Sequence, residues 1–292
     1  MEIDFYQAQK LLPKFQMHRL KELSLISVKS VNLLHQFPYA MPNLQKLKLF
    51  SSYGEDLVTS ANSVPQNGLG IVLELKELVL QYLGIKDLGL GQLPVLRKLE
   101  FLSLEHCDEL KNLGPSSVSL TYLTHLELKS CQGLRNLMAS STAKSMVQLK
   151  TMKVIDCDGV DQIVSNEGSE EVNVMKIVFP KLISIGLVGL KNMTSFCRSK
   201  EFEFEFPSLE ILIVRECPKM EKFSERKSIT PKLKNVFGVE GDEKTKWQWE
   251  GDLNATIQKV FNDKVRTHFF IYLIQFLLIL LCFLILLRDR DA

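Results

Sequence analysis

Six cysteines in this 292-residue chain invite a thiol or metal reading, and four of them recur in one setting. Cys107, Cys131, Cys157 and Cys217 each stand three residues after an apolar residue: Leu104, Leu128, Val154 and Val214. Cysteine zinc sites take their ligands in close pairs, two to four residues apart. Here the successive separations are 24, 26 and 60 residues. That spacing predicts a structural ladder, each thiol bonding to the backbone of the next repeat, with free thiols in a reducing compartment. Cys197 is expected in a turn and Cys282 inside an apolar tail, neither beside a His or Asp in a catalytic arrangement. The five histidines (His18, His35, His106, His125, His268) are dispersed, and His106 and His125 are expected as surface contacts on the outward face of strands. The chain carries no G-x-x-x-x-G-K-[ST] phosphate loop, no G-x-S-x-G elbow, no H-E-x-x-H and no G-x-G-x-x-G. No metal, cofactor or enzymatic activity is therefore expected. Asn192-Met-Thr194 and Asn254-Ala-Thr256 have the form of glycosylation acceptors, which matters only in a secreted chain.

Composition narrows the partners. Lys and Arg number 36 against 34 Asp and Glu, scattered along the chain, for a formal net charge of +2. Nucleic acid is excluded as a partner, since its footprint is a basic stripe with interleaved aromatics. The apolar fraction of 46% and charged fraction of 24% are those of a folded protein.

What positions these residues is a repeat. Leu99-xx-Leu102-x-Leu104-xx-Cys107-xx-Leu110 recurs as Leu123-xx-Leu126-x-Leu128-xx-Cys131-xx-Leu134. It recurs again from Leu149 to Val160 and from Leu209 to Met220, with shorter copies opening at Leu20, Leu44, Leu75 and Leu182 and a decayed one at Leu233. The last apolar strand residue falls at Leu25, Leu49, Leu80, Leu104, Leu128, Val154, Leu187 and Val214, so the steps are 24, 31, 24, 24, 26, 33 and 27. The two long steps hold loop-like inserts, Tyr53 to Gly70 and the acidic run from Ser165 to Glu171. This period is that of leucine-rich repeats. The alternating x-L-x-L-x stretch makes a short strand with its leucines on one face. A single coil cannot bury them; stacked coils can.

The expected fold is an α/β solenoid, a leucine-rich-repeat horseshoe with a parallel sheet on its concave face, plus one C-terminal hydrophobic helix. Residues 1–16 form a lead-in, 17–246 a solenoid of about nine coils, 247–265 a capping helix region and 266–292 a transmembrane tail. In the cap, Leu253, Ile257, Val260 and Phe261 share one helix face, with Asp252 at the N-cap and Trp247 and Trp249 just ahead. In the tail, Phe269 to Leu287 is nineteen residues without charge, long enough as a helix to cross an apolar core of ~30 Å. With no charged n-region before an apolar core at the N-terminus, the repeats are expected in the cytoplasm, tethered to a membrane through the tail.

The outward strand positions are the expected binding surface for a protein ligand. They include Lys48 and Phe50; Val79 and Gln81; Phe101, Ser103 and Glu105; His125, Glu127 and Lys129; Lys153 and Ile155; and Ile211, Ile213 and Arg215. Phe50, Phe101, Ile155, Ile211 and Ile213 are the expected apolar anchors, since aromatic and apolar centres dominate binding energy.

Several motifs carry a resemblance. Phe179-Pro-Lys-Leu182, Phe206-Pro-Ser-Leu-Glu210, Cys217-Pro-Lys-Met220, Thr230-Pro-Lys-Leu233 and Trp249-Glu-Gly-Asp-Leu-Asn254 resemble the repeat region of plant disease-resistance proteins of the coiled-coil, nucleotide-binding, leucine-rich-repeat type. The resemblance covers about residues 17 to 262 and implies repeats that sense a pathogen effector or a host protein. It also implies, in a longer form, a nucleotide-binding module restrained by the repeats; neither that module nor the coiled coil is in this sequence. Two other classes are weighed. An F-box-type substrate adaptor of a ubiquitin ligase also uses L-x-x-L-x-L-x-x-C coils, but here the Cys is followed by x-x-L-x-x-L and no F-box-like segment precedes the repeats. A membrane-anchored extracellular repeat receptor would use L-x-G-x-I-P coils, which are absent.

Overall fold

The computed structural model describes residues 2–4, 6–7, 10, 17–28, 40–51, 75–86, 88, 98–114, 119–166, 174–234, 236–238 and 246–262. In chain order the strands are β1 (Glu2–Asp4), β2 (Glu22–Ile26), β3 (Lys46–Phe50), β4 (Glu77–Gln81), β5 (Phe101–Glu105), β6 (His125–Lys129), β7 (Asn136–Ala139), β8 (Thr151–Ile155), β9 (Gln162–Ser165), β10 (Met175–Val178), β11 (Ser184–Val188), β12 (Phe202–Glu205), β13 (Ile211–Arg215), β14 (Val236–Phe237) and β15 (Lys246–Trp247). One six-residue helix, α1 (Ser140–Ser145), follows β7. A second, α2, occupies residues 253–262.

Eleven strands join one sheet in the order β1-β2-β3-β4-β5-β6-β8-β11-β13-β14-β15. All its pairs are parallel except β14 with β15. Register is conserved from coil to coil: Leu78 pairs with Leu102, Leu102 with Leu126, and Leu126 with Met152. The reason is the two-residue strand period. A slip by one residue would turn every leucine out of the core, so the buried face fixes the pairing. The second and fourth residues of each five-residue strand are buried, and they join one continuous apolar core. Burying a leucine contributes about 1.5–3 kcal/mol, and no coil collects that without its neighbours.

Seven strands of the main sheet end the same way. Ser27, Tyr82, His106, Ser130, Asp156 and Glu216 have φ between 52° and 57°, and Gly189 has φ 65°. All seven stand directly after a strand of the main sheet. The left-handed residue swings the chain inward while its own N–H continues the ladder, from His106 to Lys129 O (3.0 Å) and from Ser130 to Ile155 O (2.9 Å).

The expectation of α/β coils is corrected on the return side. In the coils from β6 onward the return segments are strands, β7 pairing with β9 and β10 with β12 in two further parallel pairs, beside the short helix α1. Phe202-Glu-Phe204-Glu-Phe206 alternates every second residue, which suits a strand and cannot place its rings on one helix face. Those rings, with Phe179, Phe196 and Phe223, are fully buried and stack: Phe179 on Phe206 at 5.4 Å, Phe196 on Phe223 at 4.7 Å.

At the C-terminal end Asp252 accepts from the Ala255 N–H (2.9 Å) as the N-cap of α2, and Leu253 and Ile257 enter the common core. Val260 and Phe261 are only half-buried, and Trp247 and Trp249 pack against the core from its edge. The apolar segment 269–287 lies outside the described residues; among those described, no helix is long and apolar enough to cross a membrane.

Candidate protein-binding face

The x residues of the strands fall into three rows across the sheet. The first runs Lys46, Glu77, Phe101, His125, Thr151, Ser184, Ile211. The middle row is Lys48, Val79, Ser103, Glu127, Lys153, Gly186, Ile213, and the third is Phe50, Gln81, Glu105, Lys129, Ile155, Val188, Arg215. All fifteen residues named from the sequence as surface positions therefore lie on one sheet. Lys48, His125, Lys129 and Arg215 are exposed, while the others, apart from Ile213, are half-buried by their strand neighbours.

Ile213 departs from expectation. It is 7% exposed and so offers no free anchor. Its strand lies between β11, where Gly186 stands beside it, and β14, where Phe237 does. The aliphatic stem of Lys153 occupies the space that Gly186 leaves, with its Cγ 3.6 Å from where a glycine Cβ would stand. His106 also departs: it is one residue past β5, in the left-handed turn, and not on the strand face.

The electrostatics of the face are largely self-contained. Lys46 sits between Glu22 (3.6 Å) and Glu77 (3.1 Å). Glu105 accepts from Gln81 Nε2 (2.8 Å) and pairs with Lys129 Nζ (2.7 Å). The Lys129 bond holds the Glu105 carboxyl below the usual carboxylate range, and the same bond raises the Lys129 ammonium. Such exposed pairs stabilise by less than about 1 kcal/mol each; their main consequence is that these charges are already engaged. Among the described residues Lys48, Glu127 and Lys153 make no ion pair.

The four repeat cysteines are enclosed, Cys107, Cys131 and Cys157 completely and Cys217 to 7% exposure. Cys107 Sγ donates to Leu80 O (3.8 Å), Cys131 Sγ to Leu104 O (3.7 Å) and Cys217 Sγ to Leu187 O (3.5 Å), each one coil back. Cys157 Sγ instead accepts from the Cys131 N–H (3.3 Å) and donates to Ile155 O (3.3 Å). Bonding to Cys131 and burial push the Cys107 and Cys157 thiols up, away from the reactive thiolate. No group of three metal-ligating side chains occurs among the described residues.

Both sequons are occupied by structural bonds. Asn192 Nδ2 donates to Asp158 O (2.8 Å) and its Oδ1 accepts from Lys219 Nζ (2.6 Å). Asn254 Oδ1 accepts from the N–H of Phe223 (2.9 Å) and of Ser224 (3.1 Å), while its Nδ2 donates to Ser224 O (2.9 Å). A glycan on either amide nitrogen would have to be accommodated beside these bonds.

Sequence reasoning missed two features on or beside the face. Tyr82 and His106 border it as stacked rings, 4.5 Å apart, a pairing announced only by their common offset of one residue from the strand end. Ser184, Gly186 and Val188 of β11 belong to the face and were legible in the copy opening at Leu182.

Residues 113–236 match the family model described as plant disease resistance protein RPS2-like, leucine-rich repeats. Over that stretch the chain is similar to the leucine-rich repeats of plant disease-resistance proteins. A curated relative, the probable disease resistance protein At4g19520 of Arabidopsis thaliana, is 26% identical over 127 residues, which is 44% of this chain. That stretch is only 7% of the relative's length. Among solved structures, the leucine-rich repeat domain of the type III effector XopL aligns over 78% of this chain and 82% of its own, at 18% identity and a TM-score of 0.45. The family match agrees with the motif resemblance and falls on the coils that carry Cys131, Cys157 and Cys217.

Proposed function

We propose that this leucine-rich-repeat domain is a non-enzymatic recognition module of plant defence, binding a pathogen effector or a host protein on the outward face of its sheet. The observation that carries the reading is the aligned three-row face. It holds the half-buried apolar residues Phe50, Phe101, Ile155 and Ile211 among charges that are mostly paired within the chain. Rigid apolar anchors in a paired polar surround suit protein association. In a longer form the repeats would also contact a nucleotide-binding module. The repeats are assigned to the cytoplasm, with the apolar segment 269–287 as a membrane anchor, in keeping with sequons whose amides are spent on structural bonds.

The test places a photo-crosslinking amino acid at Ser103, on the face, or at Lys176 on β10, outside the main sheet, in chain expressed in plant cells. A protein adduct from Ser103 and not from Lys176, lost on Phe101→Glu, is the expected result. Phe101 is half-buried, so Phe101→Glu should shift stability by less than about 1 kcal/mol. Adducts of equal yield from both positions, or insensitive to Phe101→Glu, would exclude this face.

A further inference from the structure

The left-handed slot after each strand accepts very different side chains: Ser27 and Ser130, Asp156, Gly189 and Glu216. That conformation favours glycine and tolerates small polar residues; bulky side chains are uncommon there. The turn itself therefore needs no ring, yet two consecutive coils place Tyr82 and His106 in it, at φ 57° and 52°. The rings stack at 4.5 Å with 13° between planes, and Phe50 of the preceding coil meets Tyr82 edge-on at 5.5 Å. Tyr82 remains 39% exposed. Three coils so build one aromatic strip along a border of the sheet face.

A second strip borders the other side, Phe101 and His125 at 6.1 Å on β5 and β6. Between the strips lie Val79 and Ser103 of the middle row, small and uncharged, and the hydrogen-bonded pair Gln81 and Glu105 of the third row. Of the nearest charges, Lys46 is bound to Glu22 and Glu77, and Glu105 to Gln81 and Lys129. Lys48 beside Val79 and Glu127 beside Ser103, of opposite sign, stand at the two ends of this stretch of the middle row without an ion pair among the described residues. An ionic group could be met only at those two ends, where the opposite signs of Lys48 and Glu127 favour no net charge in a segment lying across both. An apolar one only displaces water and gains ring contacts.

We propose that the trough floored by Val79 and Ser103 docks an aromatic or large aliphatic side chain from a segment of a protein partner that carries no net charge, with the Tyr82–His106 stack as its gripping edge. The proposal rests on the reading of this sheet face as a protein-binding surface. It makes the two rings residues kept for a partner at the expense of backbone preference.

The test uses the full chain carrying Tyr82→Ser together with His106→Ser, serine being the occupant of the same slot at Ser27 and Ser130. Urea unfolding should give an unchanged midpoint. A clear fall would mean that the rings serve the fold, and would overturn the proposal. In parallel, a phage library of random twelve-residue peptides is selected on the unaltered chain. Selected peptides should carry Trp, Tyr, Phe or Leu without net charge, and should bind the double variant at least about tenfold more weakly, as for a central anchor. Peptides weakened by Lys153→Glu but not by the double variant would leave the face a binding surface and remove the trough from it. A library yielding no binder, or binders indifferent to all these substitutions, would remove both.

Discussion

At the scale of single residues, two glycines of the same chain do opposite things. A Cβ on Gly133 would stand 2.0 Å from the Asp108 carbonyl oxygen, so consecutive coils touch backbone to backbone there. A Cβ on Gly186 would meet only the Lys153 stem, at 3.6 Å. Gly133→Ala is expected to cost about 3 kcal/mol by forcing coils apart. Gly186→Ala should be neutral or stabilising by about 0.5 kcal/mol, because alanine loses less freedom in a strand. Urea midpoints of the two variants check this, and equal midpoints would mean the coil spacing is not set at Gly133. The sequence could not rank these glycines. One stands in the Cys-x-Gly turn and one in an x-L-x-L-x strand, and only the distance between coils decides which is crowded. The cysteine slots, by contrast, were legible, since their recurrence relative to the strand leaves a thiol no place but the inside of the turn.

At the scale of elements, the strands of the main sheet were readable because leucine alternation and burial are the same fact. The return side was not. Its segments are short, and the alternation of Phe202, Phe204 and Phe206 was passed over in favour of the helical expectation that the repeat family carries. Helix α2 was readable from Leu253 and Ile257, but its fastening was not. Asn254 looks like a sequon by spacing, yet its amide ties α2 to the backbone of Phe223 and Ser224. Asn254→Ala leaves these backbone groups without partners and should cost about 2 kcal/mol. Hydrogen exchange at Phe223 and Ser224 should accelerate while β5 and β6 keep their protection. Unchanged exchange at both amides would mean α2 is held by its apolar face alone.

At the scale of the molecule, the parallel-sheet solenoid and the residues lining its outward face were legible from the repeat; the burial of Ile213 was not, since it depended on what two neighbouring strands put beside it. Each strand of the sheet pairs only with the coils on either side, so stability is a sum of local interfaces. Leu126, 1% exposed in the middle of the core, tests this. Leu126→Asp buries an unpaired carboxylate and should destabilise by more than about 4 kcal/mol. Amide protection should fall first in β5, β6 and β8 and last in β2 and β13. Uniform loss along the chain would contradict a solenoid of neighbour-only contacts, and no loss would mean the leucine register is misassigned.

The common register has a consequence for heredity. The strands β4, β5 and β6 start 24 residues apart and end in the same left-handed turn. Excising residues 106–129 would join Glu105 to Ser130, which already has that turn, and would bring Leu102 opposite Met152 as Leu126 now is. Recombination between misaligned gene copies can therefore delete or duplicate a whole coil and leave a sheet that still pairs. Variation of this kind reshuffles the outward rows in blocks, and new surfaces can arise faster than by one codon at a time.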